Sequence, residues 1–339
     1  MRSRKIDPII KLYKYTAKTN MNSLELCAGA GGQAQGLERS GFEHEALVEI
    51  DAAACNTLRL NRPHWNVVEG DLSHFDASRY HGVDLVAGGV PCPPFSKAGK
   101  QLGAADERDM FPQAIRVVDE TRPQAVMLEN VRGLLDTVFE GYRQNIALQL
   151  KAMGYWTDWR LFNAADFGVS QLRPRVVCVA LRHEIAPYFR WPEPGLKRPP
   201  TVGALLHDLM NTNGWQGADQ WRDQANTIAP TLVGGSKKHG GPDLGPTRSR
   251  AAWAALGVDG RGLANEAPTA DFVGVPRLTV RMCARVQGFP DDWQFAGKKT
   301  PTYRQVGNAF PPPVAHAISA QIASAIEQAA SHRLMRLAA

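Results

Sequence analysis

Of the five cysteines in this chain, one stands in a setting suited to chemistry. Cys92 lies in Gly88-Gly-Val-Pro-Cys-Pro-Pro-Phe-Ser-Lys-Ala-Gly99, where three flanking prolines fix the backbone and hold the thiol in a stiff loop. Its thiolate is a candidate nucleophile. Cys27, Cys55, Cys178 and Cys283 sit in apolar or helical contexts and read as small core residues. No C-x-x-C pair and no Cys/His cluster at zinc spacing occurs, so neither a disulfide framework nor a metal site is expected. Glu129 closes the run Ala-Val-Met-Leu-Glu-Asn. A carboxylate directly after a buried strand is either an ion-pair partner or an acid with a raised pKa. In Gln171-Leu-Arg-Pro-Arg175, alternate side chains face one way along a strand entry. Arg173 and Arg175 at that spacing suit a phosphate or carboxylate clamp better than a core.

A second kind of chemistry is written in Leu24-Glu-Leu-Cys-Ala-Gly-Ala-Gly-Gly-Gln-Ala-Gln-Gly-Leu37, a strand running through a glycine turn into a helix. Such a turn lets backbone approach a ligand while the helix N-terminus offers free N–H groups. Glu49 and Asp51 follow at the end of the next strand, the place from which a carboxylate accepts hydrogen bonds from ribose hydroxyls. Asp71, after a third strand, adds a carboxylate suited to an adenine amino group. Gly29-x-Gly31-x-x-Ala34 also fits the dinucleotide fingerprint, so at this level NAD and S-adenosylmethionine are both open.

The elements that must position these groups alternate in type. Strand candidates are residues 23–27, 44–50, 66–70, 83–89, 125–130 and 175–181, with amphipathic helical patterns between several of them. Apolar strands separated by helices pair in parallel with both sheet faces covered, which predicts a doubly wound, mostly parallel α/β sheet. From about Arg190 the texture changes, with 10 Pro and 15 Gly in residues 191–300, a density that predicts a smaller, loop-rich second domain. Regular helical pattern returns after Asp292. Hydrophobic residues make up 44% and charged residues 21% of 339 residues, which excludes wholesale disorder and fits two lobes. The net charge of +6 is unevenly spread. Residues 1–20 carry +5, 21–180 carry −5 and 181–300 carry +4, so an acidic lobe for a small ligand adjoins a basic one for a polyanion. No run is long and apolar enough to cross a membrane, and charges interrupt the N-terminus where a signal peptide would be apolar. A cytoplasmic protein with no membrane partner is expected.

Taken in order, these four blocks resemble the DNA (cytosine-5) methyltransferase family of bacterial restriction-modification systems. The resemblance extends to Arg277-Leu-Thr-Val-Arg-Met-Cys-Ala-Arg-Val-Gln-Gly-Phe-Pro-Asp-Asp-Trp293 and Tyr303-Arg-Gln-Val-Gly-Asn-Ala-Phe-Pro-Pro-Pro-Val314. It leaves out only the N-terminal arm and residues from about 185 to 275. It implies a Rossmann-like catalytic domain (21–185 with 295–339), a target-recognition domain (186–294) and a basic arm (1–20). The implied reaction adds the Cys92 thiolate to C6 of a flipped cytosine while Glu129 engages N3. Carbon 5 then takes the methyl group of S-adenosylmethionine, and loss of the C5 proton expels Cys92, leaving 5-methylcytosine and S-adenosylhomocysteine.

Further roles carry over by position. Arg173 and Arg175 would hold the flipped nucleotide. The stretch Cys27, Ala28, Gly29, Ala30, Gly31 and Gly32 would surround the methionine moiety, with Glu49 and Ile50 at the ribose side, Asp71 and Leu72 at the adenine and Pro91 near the sulfonium. Met110, Phe111, Asn308, Ala309 and Phe310 would complete the cofactor site. Ser96, Gln171 and the pair Thr231 and Leu232 would meet DNA, and Lys237, Lys238, His239, Arg248 and Arg250 are candidates for base and phosphate contact. The implied partners are double-stranded DNA and a restriction endonuclease of the same specificity, with the chain itself a monomer. One departure is that the family's Asp-Leu-Phe-Ala-Gly reads Glu25-Leu-Cys-Ala-Gly29 here, so Cys27 replaces a phenylalanine that packs on adenosine. Four rival readings compete with this one: an amino-methyltransferase, which would leave Glu129 idle; a tRNA cytosine methyltransferase of the same family; an NAD oxidoreductase, which explains only the glycine turn; and a binder without catalysis.

Overall fold

The computed structural model describes residues 21–91, 109–235 and 241–338. The arm of residues 1–20, Cys92, Ser96, Lys237, Lys238 and His239 lie outside the described residues. The first part of the chain alternates strand and helix: β1 (Met21–Leu26), α1 (Gly32–Arg39), β2 (Phe42–Glu49), α2 (Ala52–Asn61), β3 (Val67–Glu69), β4 (Leu85–Gly88), α3 (Phe111–Thr121), β5 (Ala125–Val131), α4 (Glu140–Ala152), β6 (Tyr155–Asn163) and β7 (Pro174–Arg182). Helices then dominate: α5 (Val202–Met210), α6 (Ala218–Gln224), α7 (Thr247–Ala255), α8 (Val280–Gln287), α9 (Lys299–Asn308) and α10 (Pro312–Ala338).

One seven-stranded sheet has the order β3-β2-β1-β4-β5-β7-β6. The first five strands pair in parallel, and β7 runs antiparallel to both β5 and β6. β4 is buried along its whole length and β5 up to Asn130 because helices cover both faces, which is why they open as apolar runs. On one face Leu24, Leu26, Val86 and Val126 meet Phe111, Val117 and Leu150 of α3 and α4. On the other Leu85, Met127 and Val177 meet Leu37 of α1 and Ile318 and Ile322 of α10. Each fully buried Leu or Ile contributes roughly 1.5–3 kcal/mol of apolar burial. Asn22 and Asp84 clasp β1 to β4, each side-chain oxygen accepting the other's backbone N–H at 2.8 Å.

The chain steps outward from β1 to β3, then crosses back to start β4 on the opposite side of β1. This reversal between β1 and β4 opens a crevice at the carboxyl ends of the strands. The helical part packs against the sheet domain through one apolar cluster, in which Trp221, Trp253 and Trp293 join Leu47, Leu58 and Trp65 of the first lobe.

Two sequence expectations need correction. Residues 155–163 form a strand that the apolar pattern did not announce: β6 is a half-buried edge strand carrying Thr157, Asp158 and Arg160. β1 also stops at Leu26, because Cys27 turns to a left-handed φ of 52° and ends the extended run one residue early.

Candidate active site

A cavity of about 740 Å³ occupies the crevice. The glycine turn, Glu49 and Ile50 from the end of β2, Asp51, Asp71 and Leu72 after β3, Pro91 after β4, Met110, Glu129 of β5, and Asn308, Ala309 and Phe310 after α9 all line it. The structure therefore brings together nearly all of the cofactor residues named from sequence. Gly31 shapes the turn from behind: at φ 84° it caps α1, and a Cβ there would press on Leu58 and Trp293. The Trp293 indole N–H donates to the Ala30 carbonyl at 3.1 Å, so an edge of the helical part props the turn. At Gly32 a Cβ would overlap the Phe310 carbonyl oxygen, so only glycine lets the C-terminal block close on the turn.

Glu49 is fixed in its aim. Its Oε2 accepts the Gly29 backbone N–H and its Oε1 that of Asp51, both at 2.7 Å. Burial raises its pKa against these hydrogen bonds. Glu25 and Gln33, which the sequence reading passed over, line the same cavity. Both are nearly inaccessible to solvent. Glu25 Oε2 and both amide atoms of Gln33 have no hydrogen-bond partner among the described residues. Burial pushes the Glu25 carboxyl well above its usual range, opposed by the Ala34 backbone N–H. Buried polar atoms without partners are costly, so three of them on two residues that line one cavity are candidates to meet ligand groups. The wall is also acidic: among the described residues Glu25, Glu49, Asp51, Asp71 and Glu129 line it, with Arg304 as the one basic side chain. Such a wall suits a cationic ligand better than a pyrophosphate.

Cys27 lines the cavity, but burial together with Glu49, Asp71 and Glu25 pushes its thiol up to about 12. It is therefore protonated and inert at neutral pH.

At the other end, Glu129 and Arg175 form an ion pair across the β5–β7 ladder, Arg175 Nε donating to Glu129 Oε1 at 2.7 Å. Burial raises the Glu129 pKa, and Arg175 and then Arg173 oppose the rise. Asn130 donates from its side chain to the Val90 carbonyl at 2.8 Å, and Met110 N–H donates to the Pro91 carbonyl at 3.0 Å. A Cβ at Gly89 would lie 3.2 Å from Glu129 Oε2. The backbone leading to Cys92 is thus pinned beside the Glu129 carboxylate.

Four expected site residues take other positions. The guanidinium of Arg173 is fully buried: Nη1 donates to the Leu232 carbonyl at 2.8 Å, and Nη2 to those of Gly307 and Ala309 at 2.7 and 3.0 Å. It braces backbone and does not project into the cavity. Gln171 is equally buried, with Nε2 donating to Gln287 and Oε1 accepting the Leu232 N–H, and Leu232 packs in the core; neither is placed to meet DNA. Phe111 lies behind the cavity against Tyr142 and Trp159. Thr231 is partly exposed and donates to the Leu172 carbonyl. Arg248 and Arg250 lie on α7, Arg248 exposed and Arg250 partly so.

No group of three or more His, Cys, Asp or Glu that could hold a metal ion occurs among the described residues, and no helix among them is long and apolar enough to cross a membrane.

Comparison with known proteins converges with the geometry. The chain is 60% identical over 309 residues to the Type II methyltransferase M.NgoMIV of Neisseria gonorrhoeae, covering 90% of this chain and 98% of that one. It is 55% identical over 313 residues to the Type II methyltransferase M.NaeI of Lentzea aerocolonigenes, covering 91% and 76%. The S. pombe Dnmt2 methyltransferase shares the fold, with a TM-score of 0.61 at 16% identity over 91% of this chain and 99% of that one. The family model described as C-5 cytosine-specific DNA methylase matches residues 21–324, and with the glycine turn, the Glu129–Arg175 pair and the acidic crevice in one place, the chain belongs to that family of DNA cytosine-5 methyltransferases.

Proposed function

We propose that this chain methylates carbon 5 of a flipped cytosine in a specific duplex DNA sequence, with Cys92 as nucleophile and S-adenosylmethionine as methyl donor. The observation that carries the reading is the shared crevice: the acidic cofactor wall and Glu129, which Arg175 holds from behind by an ion pair, line one cavity, and the backbone entering Cys92 is tied to its edge. The residues present fit S-adenosylmethionine. Glu25 Oε2 and Gln33 Oε1 would accept from the α-ammonium, Gln33 Nε2 would donate to the α-carboxylate, and Glu49 would accept from the ribose hydroxyls. Asp71, exposed and with its Oδ1 accepting the Ser73 N–H at 2.8 Å, would meet the adenine edge. When bound, the sulfonium supplies an electrophilic methyl group. The thiolate of Cys92 would bond to C6, making C5 nucleophilic, while Glu129, held by Arg175, engages N3. Departure of the C5 proton then returns the electron pair that breaks the C6–S bond.

Residues 186–294 would recognise the target sequence, and the basic arm would lie on the phosphate backbone. The chain would act as a cytoplasmic monomer, protecting DNA from an endonuclease of the same specificity. A duplex substituted with 5-fluorocytosine tests the chemistry, because fluorine cannot leave as a proton and the adduct persists. Incubation with S-adenosylmethionine should give a denaturation-resistant protein–DNA band that is absent for Cys92→Ala. A band of equal strength from Cys92→Ala would refute the assignment.

A further inference from the structure

The turn at residues 259–262 sets two arginines on one carboxylate and packs the stem of a third, Arg250, beside Gly260. Arg261 grips Asp259 along the side edge of its guanidinium: Nε donates to Oδ1 at 2.9 Å and Nη2 to Oδ2 at 3.2 Å, and its backbone N–H also donates to Oδ1. Arg277 Nε donates to Asp259 Oδ2 at 3.0 Å. Two glycines let arginines lie flat on this turn, since a Cβ at Gly260 would meet the Arg250 stem and one at Gly262 the Arg277 guanidinium. The Asp259 side chain is only 13% exposed, whereas that of Arg261 is 75% exposed. Its Asp259 N–H donates to the Pro276 carbonyl, which fixes the turn against the segment carrying the exposed side chains of Val273 and Val275.

A single carboxylate shared by two arginines, with a third alongside, leaves the patch positively charged. Gripping Arg261 by Nε and one Nη2 hydrogen leaves its end edge, Nη1 and the second Nη2 hydrogen, without a partner among the described residues, two parallel N–H bonds on a side chain that is 75% exposed. That edge matches the paired acceptors O6 and N7 of guanine in the major groove. A long side chain already held by Asp259 loses less freedom on binding than a loose one. A relay of contacts links the turn to the cavity wall. Gly260 accepts from the Leu244 N–H, Gly245 packs on Val233, and Gly234 packs on Asn308 at the cavity wall.

We propose that Arg261, oriented by Asp259 and flanked by Arg277, reads a guanine of the duplex target; this rests on the DNA methylation proposed above. The test compares methylation motifs from bisulfite sequencing of plasmid DNA carried in cells that express wild type, Arg261→Ala, Arg261→Lys or Asp259→Asn. Arg261→Ala should still methylate cytosine, but discrimination for guanine at one motif position should fall roughly five- to a hundredfold, the worth of one bidentate contact. Arg261→Lys should relax the same position, because a point charge cannot donate two parallel bonds, and Asp259→Asn should relax it partly. Thermal melting verifies that each variant is folded. An unchanged motif for Arg261→Ala would overturn the proposal, as would a uniform loss of methylation across all sites, which marks a phosphate contact. Failure of wild type to methylate any DNA would instead overturn the underlying reading.

Discussion

Arg173 offers a direct test of whether a family-motif residue touches substrate or holds the architecture. Its guanidinium donates to three backbone carbonyls, those of Leu232, Gly307 and Ala309, and so ties the strand entry of β7 to the helical part and to the end of α9. Lysine keeps the charge but donates from one point, and it can serve about one of those three acceptors. Hydrogen bonds to charged groups contribute roughly 1.5–3 kcal/mol each, and a buried acceptor left alone costs a similar amount. Loss of two therefore costs about 3–6 kcal/mol. At about 2 °C per kcal/mol for a chain of this size, Arg173→Lys should melt about 6–12 °C below wild type. Methyl transfer per folded molecule, measured at 15 °C by incorporation of labelled methyl groups into DNA, should stay within about tenfold. Arg175→Lys is the contrast, because its partner is the Glu129 carboxylate; turnover should fall further than melting temperature. An Arg173→Lys protein that melts with wild type and has lost a hundredfold in turnover would refute the brace.

The remaining expectations follow from the cavity wall. Glu129→Gln should lower methyl transfer about a hundredfold or more, equivalent to about 2.7 kcal/mol in the barrier; single-turnover rates check this, and an unchanged rate would mean that N3 is engaged by another group. The Glu25 carboxyl has a raised folded pKa, so its contribution to stability is fully present below the unfolded value of about 4.5 and is lost as pH rises through the folded pKa. Glu25→Gln removes that loss, so its melting temperature should gain on wild type from about pH 5 upward while S-adenosylmethionine binding by calorimetry weakens; a parallel pH profile for both proteins would count against the assignment. Gly32→Ala should cost roughly 1–3 kcal/mol through overlap with the Phe310 carbonyl, and wild-type melting of that variant would show that the turn has room.

What could be read from sequence was what burial and local geometry write into it. Strands β1, β2, β4, β5 and β7 declare themselves because they are buried on both faces, and the glycine turn because helix entry and close backbone approach need those residues in sequence. β6 escaped since Thr157, Asp158 and Arg160 break its aromatic and apolar residues into short pieces, leaving no unbroken apolar run. The role of Arg173 escaped for another reason: its partners lie 59, 134 and 136 residues away, and no local pattern says whether an arginine meets a nucleotide or a carbonyl. Gln33 was hidden inside a motif whose glycines drew the attention. A signal was available there, since a polar residue on the buried first turn of a helix needs a partner.

The contact of Trp293 with the glycine turn bears on how sequence preference can be exchanged among such enzymes. Trp293 belongs to the apolar cluster of the helical part, yet its indole bonds to Ala30 and its ring backs Gly31. A hybrid made by splicing another enzyme's residues 186–294 into this chain would import a different buttress for the methyl-donor pocket along with the new base contacts. Grafts that retain Trp293, which packs on Leu58 and Trp65 of the recipient, should keep full donor affinity with the new target, whereas grafts that replace it should lose donor affinity. On the recognition role proposed for residues 186–294, specificity and cofactor binding would be inherited together, because Trp293 belongs to that segment and props the glycine turn.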